Sequence, residues 1–180
     1  TITDANKKII TTVKSPVSKI DENIIVNTHV QDPKQWTSET PILYNANVVL
    51  QDAAGKKLYD LNEKFGFRTI VVRYGQGVYI NNTQVKFRGV NRHSFWPETG
   101  RSLSKENELQ DVLLLKEMNM NAVRCSHYPP DKYFLQLCDS LGIYVLNELA
   151  GWQKFYSAKA GEPLVKELVL RDLNHPSIIF

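Results

Sequence analysis

The feature that most constrains this 180-residue chain is a change of rhythm near Phe87. Before it, short runs rich in Val, Ile, Tyr and Thr follow one another at residues 9–13, 24–30, 43–50, 57–61 and 67–73. Within 43–50, Tyr44, Ala46, Val48 and Leu50 alternate with Leu43, Asn45, Asn47 and Val49, the two-residue period of a strand with two unlike faces. Asp52-Ala53-Ala54-Gly55 reads as a hairpin turn in which Gly55 supplies positive φ. A further hairpin, 78–80 against 84–87, turns at Asn81-Asn82-Thr83. Regular strands with turns between them point to a β-sandwich.

After Phe87 the pattern becomes strand, helix, strand. Residues 87–91 form a short extended run. Ser104 then caps a helix with Glu106 and Glu108 in its first turn, where acids complement the helix dipole, and with an expected apolar face of Leu109, Val112 and Leu113. Residues 122–125 are the next strand. Pro129-Pro130 opens a second helix carrying Phe134, Leu137, Cys138 and Leu141 at i, i+3, i+4 and i+7, stopped by Gly142. Residues 143–146 form an almost wholly apolar strand, as expected where helices cover a parallel sheet. Pro163 is expected to start a third helix through Leu173, and residues 178–180 to begin a fourth strand. A complete (β/α)8 barrel takes about 250 residues, so the second half reads as the first three to four βα units of one, with unpaired edges that favour self-association.

Composition excludes several classes of function. With 42% hydrophobic residues and a net charge of +3, the chain is neither a disordered tail nor a nucleic-acid-binding surface. No apolar run approaches the roughly 18 residues of a membrane span, so no membrane partner is expected. The two cysteines, Cys125 and Cys138, are expected to be buried and reduced. No metal-ligand spacing is visible on any one element.

In a parallel α/β sheet, chemistry collects beyond the C-terminal ends of the strands. Those ends carry Asn91, Arg92 and His93; then Arg124, Ser126, His127 and Tyr128; then Asn147, Glu148 and Trp152, with Phe155 and Tyr156 beyond. Donors, acceptors and flat apolar faces on one rim suit a sugar ring, whose hydroxyls need partners while its C–H faces rest on aromatics. Each residue also has a structural reading. A single histidine is more often a satisfied core residue, whereas His93 and His127 at equivalent strand ends, each near an arginine, suit a site equally well. Arg88, Arg92 and Arg124 suit pairing with interior carboxylates, and Glu148 fits either a catalytic carboxylate or, the favoured reading, one anchored by those arginines. Trp36 and Trp96 fit either packing or stacking on a ligand.

The run Asn121-Ala122-Val123-Arg124-Cys125-Ser126-His127-Tyr128-Pro129, continuing through Phe134-Leu135, Asp139 and Gly142-Ile143-Tyr144-Val145-Leu146, resembles the signature of glycoside hydrolase family 2. Three other segments are similar to the same family: Trp36-Thr37-Ser38-Glu39-Thr40-Pro41, Gly66-Phe67-Arg68 with Phe87-Arg88-Gly89-Val90-Asn91-Arg92-His93, and Arg171-Asp172-Leu173-Asn174-His175-Pro176-Ser177. The resemblance covers nearly everything after residue 30, and the Cys-Ser-His-Tyr-Pro wording is most similar to β-galactosidases. It implies a multidomain β plus α/β chain: an immunoglobulin-like β-sandwich over residues 1–74, then the N-terminal part of a TIM barrel over 75–180. It implies retaining hydrolysis of terminal β-galactosides, with β-glucuronidase and β-mannosidase as alternatives within the family. Such hydrolysis uses two carboxyl groups about 5–5.5 Å apart.

By the same resemblance, both catalytic Glu residues fall after residue 180, so the chain itself is expected to hold no catalytic residue and to be inactive. His93 and His127 match histidines that bind sugar hydroxyls in the transition state, with Asn91, Arg124, Glu148 and Trp152 supporting. The family's magnesium pair would fall four and six residues after Glu148, where this chain has Trp152 and Lys154. A cation would be repelled there, so no cofactor is expected. The expected partner of the intact enzyme is a carbohydrate. Two rivals remain: a non-catalytic carbohydrate-binding module built on the sandwich and its aromatics, and a structural domain without a ligand.

Overall fold

The computed structural model describes residues 1–17, 24–151, 153 and 155–180. The N-terminal part holds a four-stranded antiparallel sheet in the order β2-β1-β3-β4, with β1 at Ile2–Thr3, β2 at Ile9–Thr11, β3 at Tyr44–Gln51 and β4 at Lys57–Phe65. Asp52 shapes the β3–β4 hairpin, its Oδ1 accepting from the N–H groups of Ala54 and Lys56 while Gly55 takes φ +83°. Residues 24–30 are not a strand. They are irregular and mostly exposed, because their apolar side chains find no sheet to join: Ile25 is 81% exposed.

A second sheet of three strands, β5 (Ile70–Arg73), β6 (Gly77–Ile80) and β7 (Thr83–Val85), forms an antiparallel meander. Its β6–β7 turn is two residues long, and both Asn81 and Asn82 adopt positive φ, the backbone twist that suits a tight hairpin.

The third sheet is parallel. Strands β8 (Gly89–Arg92), β9 (Ala122–Cys125) and β10 (Tyr144–Leu146) lie side by side in chain order. Residues 177–180 continue the row: Val145 donates to the Ser177 carbonyl, Ile179 to that of Val145, and Asn147 to that of Phe180. Helices α1 (Lys105–Glu117), α2 (Lys132–Leu141) and α3 (Ala158–Asp172) complete the alternation. This is the opening arc of a βα barrel.

Local chemistry explains the helix ends. Ser104 and Asn107 form a reciprocal capping box at the start of α1. Asp131, rather than the preceding prolines, caps α2 by accepting from Tyr133 N–H. Gly142 ends α2 at φ +74°, and a Cβ there would also stand 2.1 Å from the Ser38 carbonyl oxygen. Helix α3 begins at Ala158, five residues before Pro163, which lies inside it.

Two apolar clusters hold the barrel arc. Val112 and Leu115 of α1, Phe134, Leu135 and Cys138 of α2, and Val123, Cys125, Ile143 and Val145 fill the layer between helices and strands. The buried stripe of α1 is therefore Glu108, Val112 and Leu115, while the expected Leu113 is 48% exposed. The second cluster, Trp36, Ile80, Tyr144 and Ile179, joins the N-terminal segment and the meander to the base of the arc. Trp36 is fully buried, donates from Nε1 to the Asp139 carbonyl at 2.8 Å and meets Tyr144 edge-on. It is a packing residue. Beside it the Asp139 carboxylate accepts from the Ser177 N–H at 3.1 Å and lies 2.5 Å from His175 Nδ1, tying α2 to the segment that enters the fourth strand position. Both cysteines are buried and unpaired, and burial pushes the Cys125 thiol up to about 12.

Candidate functional site

Successive strand residues point to opposite faces, so the parallel register decides what meets on the inner face of the arc. Gly89, Ala122 and Tyr144 form one level, and Asn91, Arg124 and Leu146 the next. The alternate residues face the helices: Arg92 donates to Asp111 at 2.8 Å and stacks on the Phe134 ring. Arg92 is thus a structural residue. Gly89 is required on the inner level, since a Cβ there would fall 1.9 Å from the Ala122 carbonyl oxygen. The arc encloses a concave cavity of about 400 Å³ whose lining includes Phe87, Asn91, Arg124, Tyr144, Leu146 and Phe180.

At its C-terminal rim the three strand ends converge. Arg124 grips Glu148 with two hydrogen bonds, Nε to Oε2 at 3.0 Å and Nη2 to Oε1 at 3.1 Å. His127 Nδ1 lies 3.4 Å from Glu148 Oε1 and 3.5 Å from Arg124 Nη2. The His93 ring stands 5.3 Å from that of His127 at 76°, and 6.0 Å from Tyr128. Burial opposes ionisation of Glu148, but hydrogen bonds from Arg124 and His127, with their charges, outweigh it and hold the carboxyl below its usual range.

The loops around this cluster are tied to it. Tyr128 Oη accepts from Ser94 N–H at 3.0 Å, and Arg101 stacks over the Tyr128 ring. Trp96, half-buried, closes a small turn by pairing with Gly100. Tyr156 donates to the Ala150 carbonyl, and Phe155 is fully exposed. The structure therefore brings Asn91, His93, Arg124, His127 and Glu148 to one mouth, whereas Trp152 and Lys154 lie outside the described residues.

One supporting pair was not anticipated. Asn147 Oδ1 accepts from Glu148 N–H, and Asn147 Nδ2 donates to Asp172 Oδ2 at 2.7 Å, so the carboxylate at the end of α3 steadies the Glu148 backbone. Asp172 gave no local signal, because its partner stands 25 residues away.

The residues do not fit a magnesium ion held by Glu148. Both of its oxygens are engaged by Arg124 and one also by His127, and a tryptophan and a lysine stand four and six positions on. Among the described residues, no three His, Cys, Asp or Glu side chains gather as a metal-binding group. No described helix is long and apolar enough to cross a membrane.

An antiparallel domain leading into a parallel βα arc, with imidazole, guanidinium and carboxylate groups around the strand ends, defines a class: the opening part of a βα barrel with a polar cluster at its strand ends. Residues 70–180 match the family description "Glycosyl hydrolases family 2, TIM barrel domain", and residues 1–68 match "Glycosyl hydrolases family 2". The chain belongs to glycosyl hydrolase family 2.

Among curated relatives, the β-galactosidase of Lactococcus lactis is 38% identical over 177 residues, an alignment covering 88% of this chain and 18% of that protein. That of Photobacterium profundum is 37% identical, covering 88% of this chain and 16% of that protein. Among solved structures, the Bacteroides uniformis β-glucuronidase superposes with a TM-score of 0.87 at 30% identity, covering 98% of this chain and 22% of that one. The chain thus spans less than a fifth of the length of these curated relatives.

Proposed function

We propose that this chain forms the sugar-holding side of a retaining glycosidase site acting on terminal β-galactosides, with His93 and His127 contacting sugar hydroxyls. The observation that carries this is the rim cluster: two histidines 5.3 Å apart, above a carboxylate already paired with Arg124. Such contacts aid catalysis when they strengthen as the ring flattens toward an oxocarbenium ion. Arg124 and Glu148 support the histidines, and Asn91, beside Arg124 in register, borders the same cavity. In this reading Glu148 is structural, the rim needs no metal, and the chain supplies no reacting carboxyl pair. Residues 1–74 are read as part of an immunoglobulin-like sandwich and 75–180 as the start of the barrel.

The β-galactoside assignment is supported by the names and identities of the curated relatives. A second reading, β-glucuronide hydrolysis, is favoured by the β-glucuronidase among the structural neighbours. Nitrophenyl glycosides separate these. The 180-residue chain is expected to release no nitrophenol, and the longer protein carrying it to turn over the β-galactoside faster than the β-glucuronide. Turnover by the chain alone, or a preference for the glucuronide, would contradict the proposal.

A further inference from the structure

Between strand β8 and helix α1 the chain makes an excursion, residues 93–104, with His93 at its root. His93 is exposed, so core packing does not set the direction of its ring. One side chain from the neighbouring strand end holds both feet of the excursion. Tyr128 Oη accepts at 3.0 Å from the Ser94 N–H, the peptide group that follows His93. The Arg101 guanidinium lies 4.1 Å above the centre of the Tyr128 ring, a cation–π contact at the second foot. Between the feet, Trp96 N–H donates to the Gly100 carbonyl at 2.7 Å and Gly100 N–H to that of Trp96 at 2.8 Å. The excursion is therefore a closed hoop. Its first foot is also rooted inward, where Arg92, itself paired with Asp111 of α1, donates from Nη1 to Ser94 Oγ at 3.2 Å. Arg92 thus ties Ser94 to the helix side, and the phenol ties it to the strand end that carries His127. The His93 ring lies 6.0 Å from that of Tyr128 and 5.3 Å from that of His127.

We infer that Tyr128 is a positioning residue for His93: it clamps the loop after the first barrel strand to the end of the second. The two imidazoles then meet one sugar at a fixed separation. This rests on the sugar-binding reading of His93 and adds a group that acts through that histidine rather than on the sugar. Positioning of this kind matters because small displacements of a binding group weaken its contact with the transition state.

The test has two readouts. In the 180-residue chain, NMR measures the cross-relaxation between the His93 and His127 ring protons, with the His93 signals identified by their loss in His93→Asn. The cross-peak is expected to weaken in Tyr128→Phe, which keeps the ring and loses the acceptor, and to vanish in Tyr128→Leu, which loses both. An unchanged cross-peak in Tyr128→Leu overturns the inference; if that variant does not fold, an unchanged cross-peak in Tyr128→Phe does. In the longer protein, Tyr128→Leu is expected to lower kcat/KM for a nitrophenyl β-galactoside about tenfold, and Tyr128→Phe to restore part of it. In the His93→Asn background the same change is expected to cost less than about twofold, because the two side chains act as a unit. Equal losses in both backgrounds overturn the inference, since Tyr128 would then act independently of His93. Full turnover by His93→Asn itself overturns the sugar-binding reading of that histidine, while the cross-peak still decides whether Tyr128 positions it.

Discussion

At the residue scale, position at a strand end made the rim legible before any coordinates. A parallel strand delivers its last inward side chains to one mouth, so His93, Arg124, His127 and Glu148 follow from where three apolar runs stop. Residues whose partners are remote in sequence were not legible. Trp36 was ambiguous because its hydrogen-bond acceptor, the Asp139 carbonyl, lies 103 positions away. Glu108 reads in sequence as a first-turn acid that complements the helix dipole, with nothing to mark it as buried, yet it is 4% exposed. Burial, with Asp131 and Asp111 nearby, raises its carboxyl to about 6 despite the opposing pull of Arg92. A raised carboxyl binds more protons in the folded than in the unfolded chain, so it costs stability as pH rises from the ordinary value of 4.5 through about 6. Glu108→Gln is therefore expected to stabilise the chain by about 2 kcal/mol above that window and by nothing well below it. Urea unfolding at pH 4.5 and 7.5 measures the difference, and a gain confined to the lower pH would contradict the assignment.

At the element scale, the strand–helix alternation of the second half was readable because each element carries its own period and its own stop. The misreadings have specific causes. Apolar residues alone predict a face of α1 on Leu109, Val112 and Leu113, but the stripe that packs runs through Glu108, Val112 and Leu115, so the helix is turned by part of a residue spacing. The sequence predicts Pro163 as the first residue of α3, where proline is most at home. The helix instead starts at Ala158 and accommodates a proline in its body, where one backbone donor is lost. Residues 24–30 have strand composition without a strand's neighbours, and composition alone does not pair a backbone. Gly142 shows both levels acting at one site. Its left-handed conformation ends α2, and its missing Cβ admits the Ser38 backbone. Gly142→Ala is expected to lower stability by about 3 kcal/mol, more than the roughly 1 kcal/mol typical of a lost helix stop alone. Thermal unfolding of the variant measures this; a loss under about 1 kcal/mol would show that the Ser38 contact yields easily.

At the scale of the whole molecule, the arc is anchored at its base and open at its rim. Trp36, Tyr144, Ile80 and Ile179 bind the preceding sheets to the arc, and the Asp139–His175 contact fixes the segment entering the next strand position. That base leaves the rim to loops joined by polar contacts, where His93 stays exposed and His127 half-buried. Rigid support below and polar groups above is the division of labour expected of a barrel site. The central claim is that these strand ends form one wall of a sugar site. A crystal structure of the longer protein with bound galactose tests it most directly. The expected result places the sugar within hydrogen-bond distance of His93 and His127, with Glu148 still paired to Arg124. A sugar seated away from this mouth, or a Glu148 carboxylate that has left Arg124 to bind a metal ion, would contradict it.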